Sequence, residues 1–483
     1  MTRPARCVIM EGVLLLTGSD LNVEDVVRVA RGGHPVSLHE GAIARLREAR
    51  SVVERALARD DAVYGLTTGV GAQKSVRLSP ENLDDFNRRL IAEHRVGAGP
   101  LAAPDVVRAA MLVLANQLAL GYAGVRAELV DVIISALNKG RTPQVRSLGS
   151  IGQADLATLA DLAAGLVDGF PLAPGEGLAL IDNNAFTTGA AALAVHDAGV
   201  LLESAELAAA ASLDAFGANL DLLHPHVGLA RPLPGLRESL ERLRAHLHGS
   251  RLWDPARARN LQDPLSFRTL PQVLGAARET LRFARAAVTA ELNASQGNPM
   301  VVVEEERLVA VGNFDASSLA AALDFARIGL APALTVSAER TTKLLDSQWS
   351  GLPTGLGGPE EGTAGLSMIA IASQAHVTEA RLLAQPVSFE LASSSLAAGI
   401  EDRTSLAPLG VRRLVAMVEL GSRVVAAELA VAARAATLRG QRPLGVGTEQ
   451  AITLVHEHAS SVLEGAVADL ATLAETLMAG AAT

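Results

Sequence analysis

The sequence predicts a mainly α protein in which long helices pack as a bundle, with a small β hairpin near the N-terminus. Hydrophobic residues make up 49% of the 483 residues, but aromatic residues only 3%. The core must therefore consist mostly of Ala, Leu and Val, which are compatible with closely packed helices. Apolar residues also recur at helical spacing over long stretches, whereas strand-like alternation is weak.

The predicted elements follow one another along the chain. Residues 8–16 alternate weakly and contain Glu11-Gly12, a pattern that suits the hairpin. Ser37 and Glu40 form a capping-box pattern, so a helix is predicted to begin at Ser37. Further helices are predicted at residues 103–120, 126–138, 188–211, 271–290, 317–344, 362–384, 411–438 and 449–478. Long Ala/Leu helices with little charge on any face favour a large bundle and an oligomer, because most sides need cover.

Composition excludes several classes of protein. A formal net charge of -10, without a stripe of Lys and Arg, argues against nucleic-acid binding. Cys7 is the only cysteine, which excludes an intrachain disulfide framework and fits a reducing, cytoplasmic setting. The opening residues are faintly signal-like, but Glu11 interrupts their apolar run and no cleavage pattern follows. No 18 uncharged apolar residues run together, so we expect no membrane span.

Sequence motifs for metal or nucleotide binding do not occur. The HPH at residues 224–226 and the HEH at residues 456–458 lack the spacing that puts two imidazoles on one helical face. There is no HExxH motif and no cysteine cluster. No GxGxxG follows a strand, and no Walker-type motif exists. We therefore expect neither a metal nor a nucleotide.

Four residues in polar, Gly-rich loops are candidates for chemistry, and each has a structural alternative. Tyr64 could act as an acid or base if its pKa were lowered, or could simply cap a turn. His94 could carry a proton or could be merely hydrogen-bonded. Arg268 could grip a carboxylate in bidentate fashion or form a structural salt bridge. Glu401 would bind a cation well if buried beside a ligand, but it could also lie in a solvated turn.

Eight segments, in order along nearly the whole chain, resemble motifs of the histidine and phenylalanine ammonia-lyase family. They are YGLTTGVG, GYAGVR, EGLALIDNN, LQDPLSFRTLPQVLGA, LNASQGNPMVV, VGNFDA, SAERTTKLL and GIEDRTS. The resemblance implies a nearly all-helical homotetramer of the histidase type, whose active sites combine loops from three subunits. It also implies elimination across the α and β carbons of an amino acid, which leaves an α,β-unsaturated acid. Residues 1–205 would form an active-site region and residues 206–483 a long-helix bundle, together one functional unit.

The resemblance also implies roles for particular residues. Tyr64 matches the base that removes the β-proton, and Arg268 matches the clamp for the substrate carboxylate. Phe314 matches a wall of the pocket. His94 matches a histidine of the substrate site, and Glu401 matches a glutamate that contacts the substrate side chain or amino group.

One segment departs from the family pattern. In GSVGASGDLAPLA, the family's Ala-Ser-Gly cyclises and dehydrates to the electrophile MIO, a methylidene-imidazolone. Here the segment reads GSIGQADLATLA, with Gln153-Ala154 where three residues belong. Cyclisation needs a serine followed by a small, flexible glycine, whereas Ser150 is followed by Ile151. We therefore expect no MIO and no other cofactor.

Further departures lie near the electrophile's place. Asp182 takes the place of the family's asparagine and is followed by Asn183, and Leu265 replaces a family tyrosine. Without MIO, the substrate must itself carry a good leaving group. A trimethylammonium group meets this demand because it departs as neutral trimethylamine. The β carbanion must also be stabilised, as an imidazole or thio-imidazole ring can do.

These demands describe a betaine of histidine, such as ergothioneine or hercynine. The sequence resembles the ergothionases, MIO-free members of the superfamily that split ergothioneine into thiourocanate and trimethylamine. Asp182 with Glu401 would offer negative charge to the cationic head or ring, and Asn183, Arg381 and Glu390 would join the substrate site. Two alternatives stay open: an ammonia-lyase or aminomutase with an unusual electrophile, and a catalytically silent tetramer.

Overall fold

The computed structural model describes residues 9–10, 12–357, 364–389 and 397–481. Helices dominate these residues, so the predicted mainly α fold is confirmed. The α-helices are α1 (Val23–Ala30), α2 (Glu40–Ala58), α3 (Leu83–Glu93), α4 (Pro104–Leu118), α5 (Ala127–Asn138), α6 (Leu156–Leu166), α7 (Glu176–Ile181), α8 (Ala185–Phe216), α9 (Pro225–Ala230), α10 (Pro234–His246), α11 (Leu265–Arg268), α12 (Leu270–Leu292), α13 (Ser317–Leu345), α14 (Ser347–Ser350), α15 (Ser367–Leu382), α16 (Ala407–Arg439), α17 (Val446–Leu463) and α18 (Ala471–Thr476).

Among the described residues, the strands are short and form three small sheets. They are β1 (Ile9–Met10), β2 (Val13–Leu16), β3 (Val36–Leu38), β4 (Ala98–Leu101), β5 (Arg146–Leu148), β6 (Met300–Val302) and β7 (Arg307–Val309). β1 and β2 pair antiparallel, which confirms the predicted hairpin. β3 pairs parallel to β2, so the chain needs a crossover between them, and α1 provides it. β4 pairs with β5 and β6 with β7, both antiparallel, and these two pairs were not predicted.

The predicted helix start at Ser37 is wrong. Ser37 lies in β3, where it pairs with Leu15, so its backbone is extended. The helix begins three residues later, and the side chain of His39 caps it: Nδ1 accepts a hydrogen bond from the N–H of Gly41 at 3.0 Å. The capping-box pattern therefore competes with strand pairing here, and pairing prevails.

Seven of the other predicted helices agree with α4, α5, α8, α12, α13, α15 and α16 to within a few residues. The predicted helix at residues 449–478 is the exception. The stretch 449–478 is not one helix, because α17 ends at Leu463 and α18 begins at Ala471. Gly465 adopts a φ of +89°, a left-handed conformation that breaks the helix. Residues 362–363 of the predicted α15 stretch lie outside the described residues.

The chain forms two compact units. The first consists of the described residues within Met1–His196, Arg285–Leu323 and Pro386–Val411, and the second of those within Asp197–Ala284, Asp324–Gln385 and Arg412–Thr483. The chain passes between the units several times, so they do not coincide with a single cut between residues 205 and 206. That functional division stays a prediction.

A buried ion pair lies in the core of the second unit. The side chains of Arg340 and Glu428 are fully buried, and Nη2 of Arg340 donates to Oε2 of Glu428 at 2.8 Å. Nη1 of Arg340 donates to the carbonyl oxygen of Ser266 at 3.0 Å, and Oγ of Ser212 donates to Oε1 of Glu428 at 2.7 Å. These bonds compensate for the loss of water around both charges. The SAERTTKLL motif, which contains Arg340, therefore has a structural role within this unit.

Within the part of the chain that the structure describes, two helical stretches are long and apolar enough to cross a membrane by length and composition. They are Glu176–Phe216 and Ser317–Leu345, and 72% and 61% of their most apolar windows are buried inside the protein. Buried core helices of globular proteins can have the same length and apolar composition.

We predict that Glu428→Gln destabilises the protein by about 3 kcal/mol, because it leaves the Arg340 charge buried without a counter-ion. Urea unfolding measures the change. Glu419→Gln on the same helix α16 is the matched control, because Glu419 is exposed and pairs with Arg423 at the surface. Equal losses for the two variants would contradict the role of the buried pair.

Candidate active site

Tyr64 lies in a tight turn that packs against the apolar core of the first unit. The N–H of Thr67 donates to the carbonyl oxygen of Val63 at 3.0 Å, and Oγ1 of Thr67 accepts from the N–H of Val63 at 2.9 Å. Val63 belongs to a buried apolar cluster with residues of α2 and β6. Gly65 has a φ of +64°, and a Cβ there would lie 2.2 Å from Cδ2 of Leu178. The YGLTTGVG segment therefore needs glycine at this position to hold Tyr64 in place.

The hydroxyl group of Tyr64 is near the other two predicted catalytic residues, Asp182 and Glu401. Its oxygen accepts a hydrogen bond from the N–H of Gly71 at 2.9 Å. Burial raises the pKa of Tyr64, the Gly71 bond opposes this effect, and the charges of Asp182 and Glu401 raise the pKa further. The structure thus brings Tyr64, Asp182 and Glu401 together within the first unit. Because its pKa is raised, Tyr64 retains its proton more firmly than an ordinary tyrosine does.

Asp182 is a buried carboxyl group at the C-terminal end of α7. Its residue is only 8% exposed, and Oδ2 accepts a hydrogen bond from the N–H of Asn298 at 3.1 Å. Burial raises the pKa of Asp182 to about 7, because the Asn298 bond only partly opposes the effect and the charge of Glu401 adds to it. Near neutral pH, the carboxyl group is therefore divided between its charged and neutral forms.

A cleft in the first unit opens beside these groups. Its walls come from the Tyr64 turn, from α7 and from the loop before β6, and include Tyr64, Gly124, Leu178, Gly297 and Asn298. Apolar side chains and backbone provide most of this surface. Asp182 is not among the residues that line the cleft, but Asn298 both lines the cleft and donates a hydrogen bond to Asp182, so the carboxyl group lies behind this part of the wall.

Asn183 and Asn184 follow Asp182 and connect other segments. Nδ2 of Asn183 donates to the carbonyl oxygen of Ala179 at 3.1 Å, and its Oδ1 accepts from the N–H of Ala185 at 3.0 Å. This amide joins the end of α7 to the start of α8, so its predicted contact with substrate stays a prediction. Nδ2 of Asn184 donates to the carbonyl oxygen of Phe314 at 2.7 Å and so fixes the backbone of that predicted pocket wall.

Residues 149–155, which we call the replacement loop, contain Gln153-Ala154, which stands where the family pattern has Ala-Ser-Gly. Asp155 ends the loop, is fully buried and precedes α6. Its Oδ1 accepts from Oγ of Ser150 at 2.8 Å and from Oγ1 of Thr187 at 2.7 Å, and its Oδ2 accepts from the N–H of Thr187 at 2.7 Å. Burial raises the pKa of Asp155, and these bonds oppose that effect. The carboxyl group therefore joins the loop to the first turn of α8.

Gln153 in the replacement loop binds Asp315, a residue that sequence reasoning missed. Nε2 of Gln153 donates to Oδ2 of Asp315 at 2.9 Å, and Nη1 of Arg403 lies 3.5 Å from the same oxygen. Burial opposes ionisation of Asp315, but hydrogen bonds from Ser317 and Gln153 and the charge of Arg403 outweigh it, so the pKa of Asp315 lies below its ordinary value. Asp315 and Arg403 lie in the VGNFDA and GIEDRTS segments, which were the only sequence signal for them.

His94 caps the end of α3 and is half-buried. Its Nδ1 lies 2.7 Å from the carbonyl oxygen of Leu90, which accepts a hydrogen bond from Nδ1–H in the tautomer that this contact requires. Nε2 is then the acceptor nitrogen. The structure does not place His94 among the residues that line the cleft, and its contact with substrate stays a prediction.

Three predicted substrate-site residues have no described contact with these groups. Arg268 and Arg381 belong to the second unit and are exposed, and Nη1 of Arg268 donates to Oε1 of Gln262. Glu390 lies outside the described residues. Their predicted roles stay predictions.

Among the described residues, no group of three or more His, Cys, Asp or Glu side chains could hold a metal ion. The candidate site brings together Tyr64, the carboxyl groups of Asp182 and Glu401, and the replacement loop. Such a set can remove a proton and bind a cation.

Known proteins resemble this chain over most of its length. The aromatic amino acid lyase family matches residues 21–170 and 168–457. Histidine ammonia-lyase from Clostridium tetani is 33% identical over 470 residues, which cover 92% of this chain and 91% of that protein. Histidine ammonia-lyase 2 from Fusobacterium nucleatum is 34% identical over 477 residues, which cover 93% of this chain and 92% of that protein.

Solved structures show the same fold. The ergothioneine-degrading enzyme ergothionase from Treponema denticola, in complex with desmethyl-ergothioneine sulfonic acid, has a TM-score of 0.90 at 28% identity, and the match covers 97% of this chain and 98% of that one. Histidine ammonia-lyase from Trypanosoma cruzi has a TM-score of 0.88 at 27% identity, with 97% and 94% of the two chains covered.

We predict that Asp182→Asn stabilises the protein at pH 8.5 but not at pH 4. The unfolded chain holds this carboxyl group at an ordinary pKa near 4, whereas the folded chain holds it at about 7. Folding therefore costs free energy above pH 7, where Asp182 must be ionised in the interior, and this cost vanishes below about pH 4, where both states are protonated. The three-unit difference corresponds to at most about 4 kcal/mol.

Unfolding at the two pH values measures the effect. The exposed Asp168, also in the first unit, supplies the control Asp168→Asn, for which we expect no pH-dependent gain. An Asp182→Asn protein whose stability follows the parent at both pH values would show that Asp182 titrates normally.

Proposed function

The chain belongs to the aromatic amino acid lyase family and is a carbon–nitrogen lyase, and from this premise we propose that it eliminates trimethylamine from a histidine-derived betaine without MIO. Ergothioneine and hercynine are the candidate substrates, and the product is an α,β-unsaturated acid such as thiourocanate. The observation that carries the proposal is the replacement loop.

The residues of the replacement loop do not fit a cofactor made from Ala-Ser-Gly. Ser150, its only serine, precedes Ile151 rather than glycine, and Oγ of Ser150 is hydrogen-bonded to Asp155 at 2.8 Å. The N–H of Asp155 donates to the carbonyl oxygen of Asn183 at 2.7 Å, so the loop connects directly to the frame that follows it. We infer that the protein supplies no electrophile to activate an amino group.

A substrate with its own leaving group removes the need for that electrophile. In the proposed step, the Tyr64 phenolate takes the β-proton, and the electrons of the C–H bond form the double bond between the α and β carbons. The C–N bond then breaks with its electron pair on nitrogen, which leaves as neutral trimethylamine. No oxidant, reductant or second reactant is needed.

The charges around Tyr64 suit a cationic substrate. Asp182 and Glu401 raise the pKa of Tyr64, along with burial. A trimethylammonium group beside these carboxylates would offset their charge and so lower the pKa of Tyr64 in the bound complex. The substrate would thus help to generate the base that attacks it. In the family pattern asparagine stands at the position of Asp182, and a neutral amide would supply no such charge.

Similarity supports this substrate class. The ergothionase from Treponema denticola matches nearly the full length of this chain, and by its name it degrades ergothioneine. Histidine ammonia-lyases at 33% and 34% identity favour the second candidate, an ammonia-lyase or aminomutase acting on histidine or another aromatic amino acid. A catalytically silent homologue is the third possibility.

We propose that the chain works in the cytoplasm as a homotetramer that shares active sites between subunits. Long helices of the second unit leave large apolar side chains exposed, which is typical of interaction surfaces. They are Phe283 on α12, Phe325 on α13, Met368 and Ile371 on α15 and Val415 on α16. The exposed guanidinium of Arg268 is then available to bind a substrate carboxylate in such an assembly.

We predict that the purified protein releases trimethylamine from ergothioneine or hercynine, together with an ultraviolet-absorbing product, and releases no ammonia from histidine or phenylalanine. Tyr64→Phe removes the phenolate, so turnover should fall to background. Its light-scattering mass should still be that of four chains, because the hydroxyl group serves chemistry rather than assembly. Release of ammonia from histidine or phenylalanine would contradict the proposed function. Trimethylamine release by Tyr64→Phe would refute the assignment of Tyr64 as the base.

We also predict that kcat/KM for the betaine falls more steeply with decreasing pH below about pH 7 than above it, because protonation of Asp182 removes charge that attracts the cation, in addition to the loss of the Tyr64 phenolate. Glu401 and Tyr64 are the other titratable groups facing Asp182. Asp182→Asn should lower kcat/KM at pH 8 and remove the additional steepness below pH 7, while the slope that belongs to Tyr64 remains. Additional steepness that persists unchanged in Asp182→Asn would belong to another group.

A further inference from the structure

The backbone of the replacement loop is tied to the segment that begins α16. The N–H of Leu406 donates to the carbonyl oxygen of Ile151 at 3.0 Å, and Oγ of Ser405 donates to the carbonyl oxygen of Gly152 at 2.7 Å. Gly152 has a φ of +80°, and a Cβ there would lie 2.1 Å from Oγ of Ser405. The loop is therefore closely packed, and the next residue in it, Gln153, has a defined position.

Gln153 binds Asp315 through both backbone and side chain. The two residues form an isolated antiparallel bridge, and Nε2 of Gln153 donates to Oδ2 of Asp315 at 2.9 Å. Oδ1 of Asp315 accepts from the N–H of Ser317 at 2.8 Å, which ties it to the start of α13. Nη1 of Arg403 lies 3.5 Å from the Oδ2 atom that also binds Gln153.

This contact links two segments that carry predicted site residues. Phe314 immediately precedes Asp315, and Glu401 lies two residues before Arg403. A neutral amide suits the position, because it donates a hydrogen bond to Asp315 without competing with the charge of Arg403. A carboxylate of the same length would instead repel Asp315.

We propose that Gln153 is a positioning residue for the elimination: its carboxamide, acting through Asp315 and Arg403, holds the segments of Phe314 and Glu401 in the geometry that the reaction requires. The inference rests on the proposed function for the identity of the reaction. Gln153, one of the two residues that stand in place of the cofactor-forming tripeptide, thus has a structural role at the site, where its uncharged side chain links two loops.

Gln153→Met tests this role because methionine has a similar length but no N–H donor. We expect kcat for the betaine to fall about 10- to 100-fold, because small displacements of a site residue are costly, while KM stays within about threefold because binding of the cation and carboxylate persists. The melting temperature should stay near that of the parent. Gln144→Met, at an exposed glutamine of the first unit, is the control and should behave as the parent.

Hydrogen–deuterium exchange provides a second readout that needs no substrate. Gln153→Met should exchange faster than the parent at residues 311–317 and 399–406, and Gln153→Glu should do so at least as strongly. An unchanged kcat, or a loss of activity that parallels a loss of folded protein, would overturn the positioning role. Unchanged exchange in both segments would also overturn it. If the parent itself releases no trimethylamine, the proposed function fails, and exchange still decides whether the clamp exists.

Discussion

The candidate active site depends on the hydrogen bonds that the buried carboxyl group of Asp155 accepts. Its two oxygens accept three hydrogen bonds, from Ser150 at 2.8 Å and from the side chain and backbone of Thr187 at 2.7 Å each. These bonds join the replacement loop, the start of α6 and the first turn of α8. An unpaired carboxyl group in the interior would be costly, so the three donors must stay together. The frame around the altered tripeptide is thereby retained.

That frame determines where negative charge lies. Asp182 is held between the end of α7 and the start of α8, with its carboxyl group bonded to Asn298. Burial raises the pKa of Asp182 and of Tyr64, and the charge of Glu401 raises both pKa values further. A site of this kind binds a permanent cation better than a neutral amine. The electrostatics and the altered loop therefore favour the same substrate class by independent arguments.

The helices were predictable from the sequence because apolar spacing is a local property. Their ends were less so: strand pairing displaced the start at Ser37, and Gly465 broke a stretch that looked continuous. Motif resemblance identified Tyr64, Asp182 and Glu401 one at a time, but not their mutual effect on pKa. The bond between Gln153 and Asp315 joins residues 162 positions apart, and no periodicity in a single sequence records such a contact.

The central claim is that the substrate carries its own good leaving group, so the reaction needs no cofactor made from the chain. Mass spectrometry of a peptide that contains residues 149–160 tests it most directly, because MIO formation removes two water molecules from the chain. The account predicts a peptide whose mass equals that of GSIGQADLATLA within its flanking residues. A peptide lighter by the mass of two waters would contradict it.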